Sequence, residues 1–122
     1  MEKFSSIEEA QDVYPENRFL VLTDEEADEK TREEIIESLW AFRPSFLSSL
    51  TDLPEEVFEA LSLKCEDANE PILRLVKKTC GVDALVDEAI SADGRGHFLA
   101  HYDHEENEIM IDGVLHFVYR QN

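Results

Sequence analysis

The hydrophobic period changes once along this chain, and that change constrains the fold more than any other feature. Up to about residue 92, apolar residues recur every three or four positions. Beyond Gly94 they alternate and bracket a turn. Asp112-Gly113 lies between the apolar segments 108–111 and 114–119. An Asp-Gly pair there specifies a two-residue type I′ hairpin, because both central residues need positive φ. Leu115, Phe117 and Tyr119 fall on one face of the second strand, and Val114, His116 and Val118 on the other. His97 to Tyr102 alternates loosely and reads as a further strand. Helices first and strands last give an α+β fold: an N-terminal bundle of short helices, about residues 5–92, packed on a small C-terminal antiparallel β-meander, about residues 96–120. The 122 residues read as a single domain, 1–122, large enough for a core without disulfides or metal.

The helical part has clear punctuation. Ile7, Ala10, Val13 and Tyr14 make a short helical pattern that Pro15 ends. The run Phe19 to Leu22 reads as a short strand or as the approach to the next helix. Thr23 and Glu26 form a capping box, and Asp24 and Glu25 suit the positive helix end. This helix is predicted to reach about Ala41, burying Ala27, Ile35, Leu39 and Phe42, with Ile36 and Trp40 widening the stripe. Arg43 precedes Pro44 and so leaves the helix. A single turn is predicted over 44–50. Thr51-Asp52 reads as the cap of a helix carrying Val57, Phe58, Leu61 and Leu63. Asp67 or Asn69 caps another, packed through Ile72, Leu73, Leu75 and Val76 and stopped at Gly81. A last short helix covers 82–90.

Charge sets the classes of partner. The chain has 29 acidic and 11 basic residues, a formal net charge of -18. Phosphate backbones and anionic membrane surfaces are repelled, whereas basic protein surfaces are attracted. The candidate interaction face is Asp28, Glu29, Glu33 and Glu37 on the exposed side of the helix that Thr23 starts. The plainer reading is a solvated acidic surface. No signal peptide or spanning apolar run is legible, and Cys65 and Cys80 read as free thiols, so the expected setting is cytoplasmic.

The stretch from Gly94 to Arg120 holds all four histidines and three of the four glycines. His97, His101 and His104 are metal-ligand types, but on a strand His97 and His101 stand about 13 Å apart, too far for one ion. No metal site or cofactor is expected. Gly94-Arg95-Gly96 lacks the further glycines and following helix of a phosphate loop. It reads as a tight turn whose arginine pairs with carboxylates. Cys80 and the serines have no nucleophile context, so no catalytic residue is assigned and the chain leans away from an enzyme. Two glycines turn the chain before residue 97, and the DHEEN turn reverses it after. That predicts a cluster of Arg95, His97, Asp103 and Glu106 at the helix–sheet junction.

Three stretches, FLVLTDEEADEK, ESLWAFRPSFL and ADGRGHFLAHYDHEENE with the terminal VYRQN, resemble a largely uncharacterised family of small acidic proteins encoded by phages, prophages and plasmids. The resemblance covers most of the chain. In that family the turn is expected to carry glycine where His104 stands. The resemblance implies a mobile-element setting and no particular activity. Together with the charge it gives the expected function: a small, acidic, non-enzymatic protein-binding domain whose partner has a basic surface, with no direct binding of nucleic acid or membrane. Two alternatives are a nucleic-acid mimic that inhibits a host DNA- or RNA-binding enzyme, and a small metal-dependent hydrolase centred on Arg95, His97, Asp103 and His104.

Overall fold

Local side-chain chemistry starts the first two helices. Ser6 has extended backbone, and its hydroxyl accepts from the Glu9 N–H at 3.2 Å. Thr23 and Glu26 cap reciprocally: the Thr23 N–H donates to Glu26 Oε1 at 2.9 Å and the Glu26 N–H to Thr23 Oγ1 at 3.3 Å. The capping box read from the sequence is therefore formed. The computed structural model describes all residues, 1–122. In chain order the elements are β1 (Glu2–Phe4), α1 (Ile7–Val13), β2 (Phe19–Thr23), α2 (Asp24–Glu37), α3 (Pro44–Thr51), α4 (Glu55–Ser62), α5 (Asn69–Lys78), α6 (Val82–Asp93), α7 (Arg95–Leu99), β3 (Asn107–Ile111) and β4 (Val114–Arg120). Single 3₁₀ turns lie at Leu39–Ala41 and Cys65–Ala68. The fold is α+β, and its C-terminal strands are antiparallel.

The chain forms two compact units, Met1–Arg32 with Asp93–Asn122, and Glu33–Ala92. The first contains a four-stranded sheet in the order β1-β3-β4-β2. β3 and β4 form the predicted hairpin, with Ile111 opposite Val114 and positive φ at Asp112 and Gly113. β2 pairs antiparallel with β4 and β1 parallel with β3. The predicted C-terminal meander is thus corrected to a mixed sheet in which two N-terminal strands flank the hairpin. β1 is only three residues long, too short to show a period.

The sheet is buried on both faces. Phe117 and Tyr119, with Leu20 and Leu22, pack against Ala27 of α2 and Leu99 and Ala100. Val118, Ile109 and Ile111 pack on the other face with Ala10 of α1, Phe4, Phe19 and Val21. Tyr14 meets Phe4 and Phe19 edge-on, at ring separations of 6.3 and 5.2 Å. The N–H groups at both ends of β2 are used off the ladder. Phe19 donates to Pro15 O at 2.9 Å, and Thr23 to Glu26 as above. This blunts an edge strand that would otherwise invite pairing.

The strand predicted over His97–Tyr102 is not formed. Residues 95–99 are α7, and a turn follows. The cause is the glycine pair. Gly94 has φ +81 and ψ 157, a conformation only glycine takes freely. Gly96 is buried, and a Cβ there would stand 2.6 Å from His104 O and 3.0 Å from Glu106 N. The backbone of 104–106 can press against α7 only because that side chain is missing.

The second unit is helical. Leu39, Leu47, Phe58, Ala68, Ile72, Val76, Leu85 and Ala89 are buried there. α2 stops at Glu37, short of the predicted Ala41, as Ser38 Oγ turns back to Glu34 O at 2.7 Å. The predicted single turn at 44–50 is the helix α3, ended by Asp52 in the left-handed conformation rather than capping α4. Asn69 does not cap α5. Its amide donates to Ile36 O at 2.9 Å and its Oδ1 accepts from the Trp40 N–H at 3.3 Å, stapling two segments. Cys65 and Cys80 are free thiols. No helix is long and apolar enough to cross a membrane.

Candidate functional site

The site grows from Arg95, the first residue of α7. Gly94 turns the chain so that the arginine side chain lies over β4 and toward the start of α2. Its guanidinium carbon sits 4.5 Å from the centre of the Phe117 ring, within cation–π range. Nε donates to Glu106 Oε1 at 2.8 Å. Nη1 donates to Asp24 Oδ1 and Asp28 Oδ1, each at 2.9 Å, and to Asp24 O at 3.2 Å. Asp24 and Asp28 are one helical turn apart, so both reach the same nitrogen. One cation thus gathers three carboxylates from two segments of the first unit that are about eighty residues apart.

Burial is graded across the cluster. The Arg95 side chain is 11% exposed, Glu106 31%, Asp28 62% and Asp24 67%. The Glu106 bond is therefore the strong one, while the aspartate pairs are screened by water. Behind it stands Tyr119, fully buried, whose hydroxyl donates to the same Glu106 Oε1. Burial, and then that bond, push the Tyr119 hydroxyl well above the ordinary tyrosine range. Burial works against the Arg95 charge, but the bonds to Glu106, Asp24 and Asp28 outweigh it and hold the guanidinium above its ordinary value. Glu106 Oε1 accepts from two donors at once, which occupies both lone pairs of that oxygen. The arrangement pins the 100–106 turn, α7 and the start of α2 to β4.

Of the four residues predicted to cluster, Arg95 and Glu106 are bonded. His97 and Asp103 lie off the cluster. Asp103 Oδ1 accepts from the Glu105 N–H at 3.1 Å and so closes the turn locally. His97 stacks on His104, with ring centres 5.2 Å apart, and meets Phe98 edge-on. His104 Nδ1 donates to His97 O at 3.2 Å. His104 has φ +60, a left-handed conformation. His101 is exposed on the turn. Tyr102, also exposed, carries the Arg120 guanidinium 3.9 Å above its ring.

The predicted acidic face divides. Asp28 belongs to the Arg95 cluster. Glu29, Glu33 and Glu37 are exposed along α2, and Glu25 extends their row by one turn. The sequence reading missed Asp24, Phe117 and Tyr119. Only the i, i+4 pair Asp24 and Asp28 carried a signal, and nothing in it pointed at Arg95. No group of three or more His, Cys, Asp or Glu side chains is placed to hold a metal ion. Comparison with protein-family models, curated proteins and solved structures gives no match.

Proposed function

We propose that this chain is a small acidic protein-binding domain of mobile-element type that docks on a basic surface of a cytoplasmic host protein and does no chemistry of its own. The observation that carries this reading is the row Glu25, Glu29, Glu33 and Glu37: exposed carboxylates at every fourth position of α2, none with an ion pair. Like charges at i, i+4 cost a helix a few tenths of a kcal/mol per pair, roughly 0.2–0.5. A row kept at that cost is relieved when a cationic surface covers it, and its field speeds the encounter. The Arg95 cluster, in contrast, satisfies its charges internally and has a sufficient role in holding the fold.

Charge density favours a basic protein site over imitation of duplex DNA. The row offers one carboxylate per ~6 Å of helix axis, whereas duplex DNA offers one phosphate charge per ~1.7 Å. The test is capture from host lysate by the tagged full chain, at low and at high salt, beside the variant Glu29→Lys, Glu33→Lys, Glu37→Lys. The reading expects a specific host protein, identified by mass spectrometry, that is held by the natural chain at low salt and lost both at high salt and with the variant. A partner that the variant retains equally well would overturn it.

A further inference from the structure

The histidines of the last third of the chain play no part in the docking row or in the Arg95 cluster. We propose that His97 and His104 form an open two-histidine site for a divalent ion of the class that prefers imidazole, Zn²⁺ foremost, with water completing the coordination.

The argument rests first on separation. An imidazole nitrogen binds Zn²⁺ at ~2.0–2.1 Å, and its ring centre lies ~1.1 Å further out, so two rings on one tetrahedral ion stand ~5.2 Å apart, centre to centre. The ring centres of His97 and His104 are 5.2 Å apart with the ring planes 26° from parallel, so the separation suits one ion and one ring must turn for both nitrogens to face it. The spacing is built into the backbone. His97 is on α7, His104 is on the turn that returns over it, and the missing side chain of Gly96 sets how closely the two segments approach.

The second support is the tautomer. A carbonyl oxygen only accepts, so the His104 nitrogen bonded to His97 O is the protonated Nδ1. Nε2 is then the nitrogen with the free lone pair. Metal-binding histidines are commonly oriented by such a bond from the other ring nitrogen. His97 is held only by ring contacts, with His104 and with Phe98, and its ring turns about the Cβ–Cγ bond to bring its own nitrogen to the ion.

Third, His104 occupies a left-handed position, φ +60, that glycine takes without strain. Both histidines are exposed, and His104 is flanked in sequence by Asp103 and Glu105, whose charges draw cations toward the turn. Two imidazoles exclude Mg²⁺ and Ca²⁺, which take oxygen ligands, and select zinc, nickel or copper.

The experiment is calorimetric titration of the full chain with ZnCl₂ in millimolar MgCl₂, which occupies the carboxylates. The expected result is one Zn²⁺ per chain. His97→Gln and His104→Gly should each weaken binding about tenfold or more, while His101→Gln and His116→Gln leave it unchanged. Glycine suits the backbone at 104, so loss of binding there is not loss of fold, and a melting curve of each variant checks that directly. Absence of a saturable one-ion stage in the natural chain would overturn the proposal. So would a stage that survives His97→Gln or His104→Gly in folded protein, or one that disappears equally with His101→Gln.

Discussion

At the scale of single residues, Gly96 and Arg95 set how α7, the 100–106 turn and β4 pack together. Gly96→Ala places a methyl group 2.6 Å from a backbone oxygen, and backbone cannot swing aside as a side chain does. The expected cost is about 1–3 kcal/mol, read as a lower denaturation midpoint with unchanged slope. Arg95→Ala removes the bond to Glu106, the packing on Phe117 and two screened pairs, an expected loss of about 2–3 kcal/mol. Arg95→Lys should recover only part of it, since an ammonium cannot serve Glu106 and the aspartates in the same planar geometry. Unchanged stability in Arg95→Ala would show that the cluster does not hold the fold. Arg95 and Glu106 were legible as a pair because the glycines and the DHEEN turn bracket them closely. Asp24 was not, because the partner of an arginine 71 positions away leaves no trace in one sequence.

At the scale of elements, the hairpin and the two sheet faces carry the predictions. Gly113 has φ +75, so Gly113→Val should cost about 1–2 kcal/mol by denaturant titration. Each sheet face is closed by a tyrosine whose hydroxyl is bonded to a glutamate, Tyr14 to Glu2 and Tyr119 to Glu106. Burial, then the Glu2 bond, push Tyr14 up from 10.0 to about 12, and Tyr119 is raised as well. Both phenols keep their protons in the fold at pH values where the unfolded chain loses them. Their contribution is therefore present below about pH 10; that of Tyr14 is lost as pH rises through 12, and that of Tyr119 declines over the same range and beyond it. The denaturation midpoint should fall over that window, and Tyr14→Phe should flatten its first part. A midpoint that stays level from pH 9 to 12 would contradict the burial of these hydroxyls. The capping box at Thr23 and the Asp112-Gly113 turn were readable because each is decided by residues within four positions. α7 was misread as a strand because five residues, the second a glycine, show no helical period. The parallel pairing of β1 with β3 spans more than a hundred residues, and no local pattern encodes it.

At the scale of the whole molecule, charge separates into carboxylates that hold the fold and carboxylates that do not. Asp24, Asp28 and Glu106 are paired with Arg95, whereas Glu25, Glu29, Glu33 and Glu37 are exposed and repel one another along α2. Lysines at 29, 33 and 37 turn the pair 25–29 from repulsive to attractive and lower the net negative charge, so the melting temperature should stay unchanged or rise slightly at low salt, and partner affinity should fall as salt screens charges beyond ~8–10 Å. The most direct measurement is the affinity of the captured host protein for the folded variant Glu29→Lys, Glu33→Lys, Glu37→Lys, set beside the natural chain at the same low salt. The account predicts a variant that melts no earlier than the natural chain and no longer binds. A variant that melts normally and binds as before would contradict it.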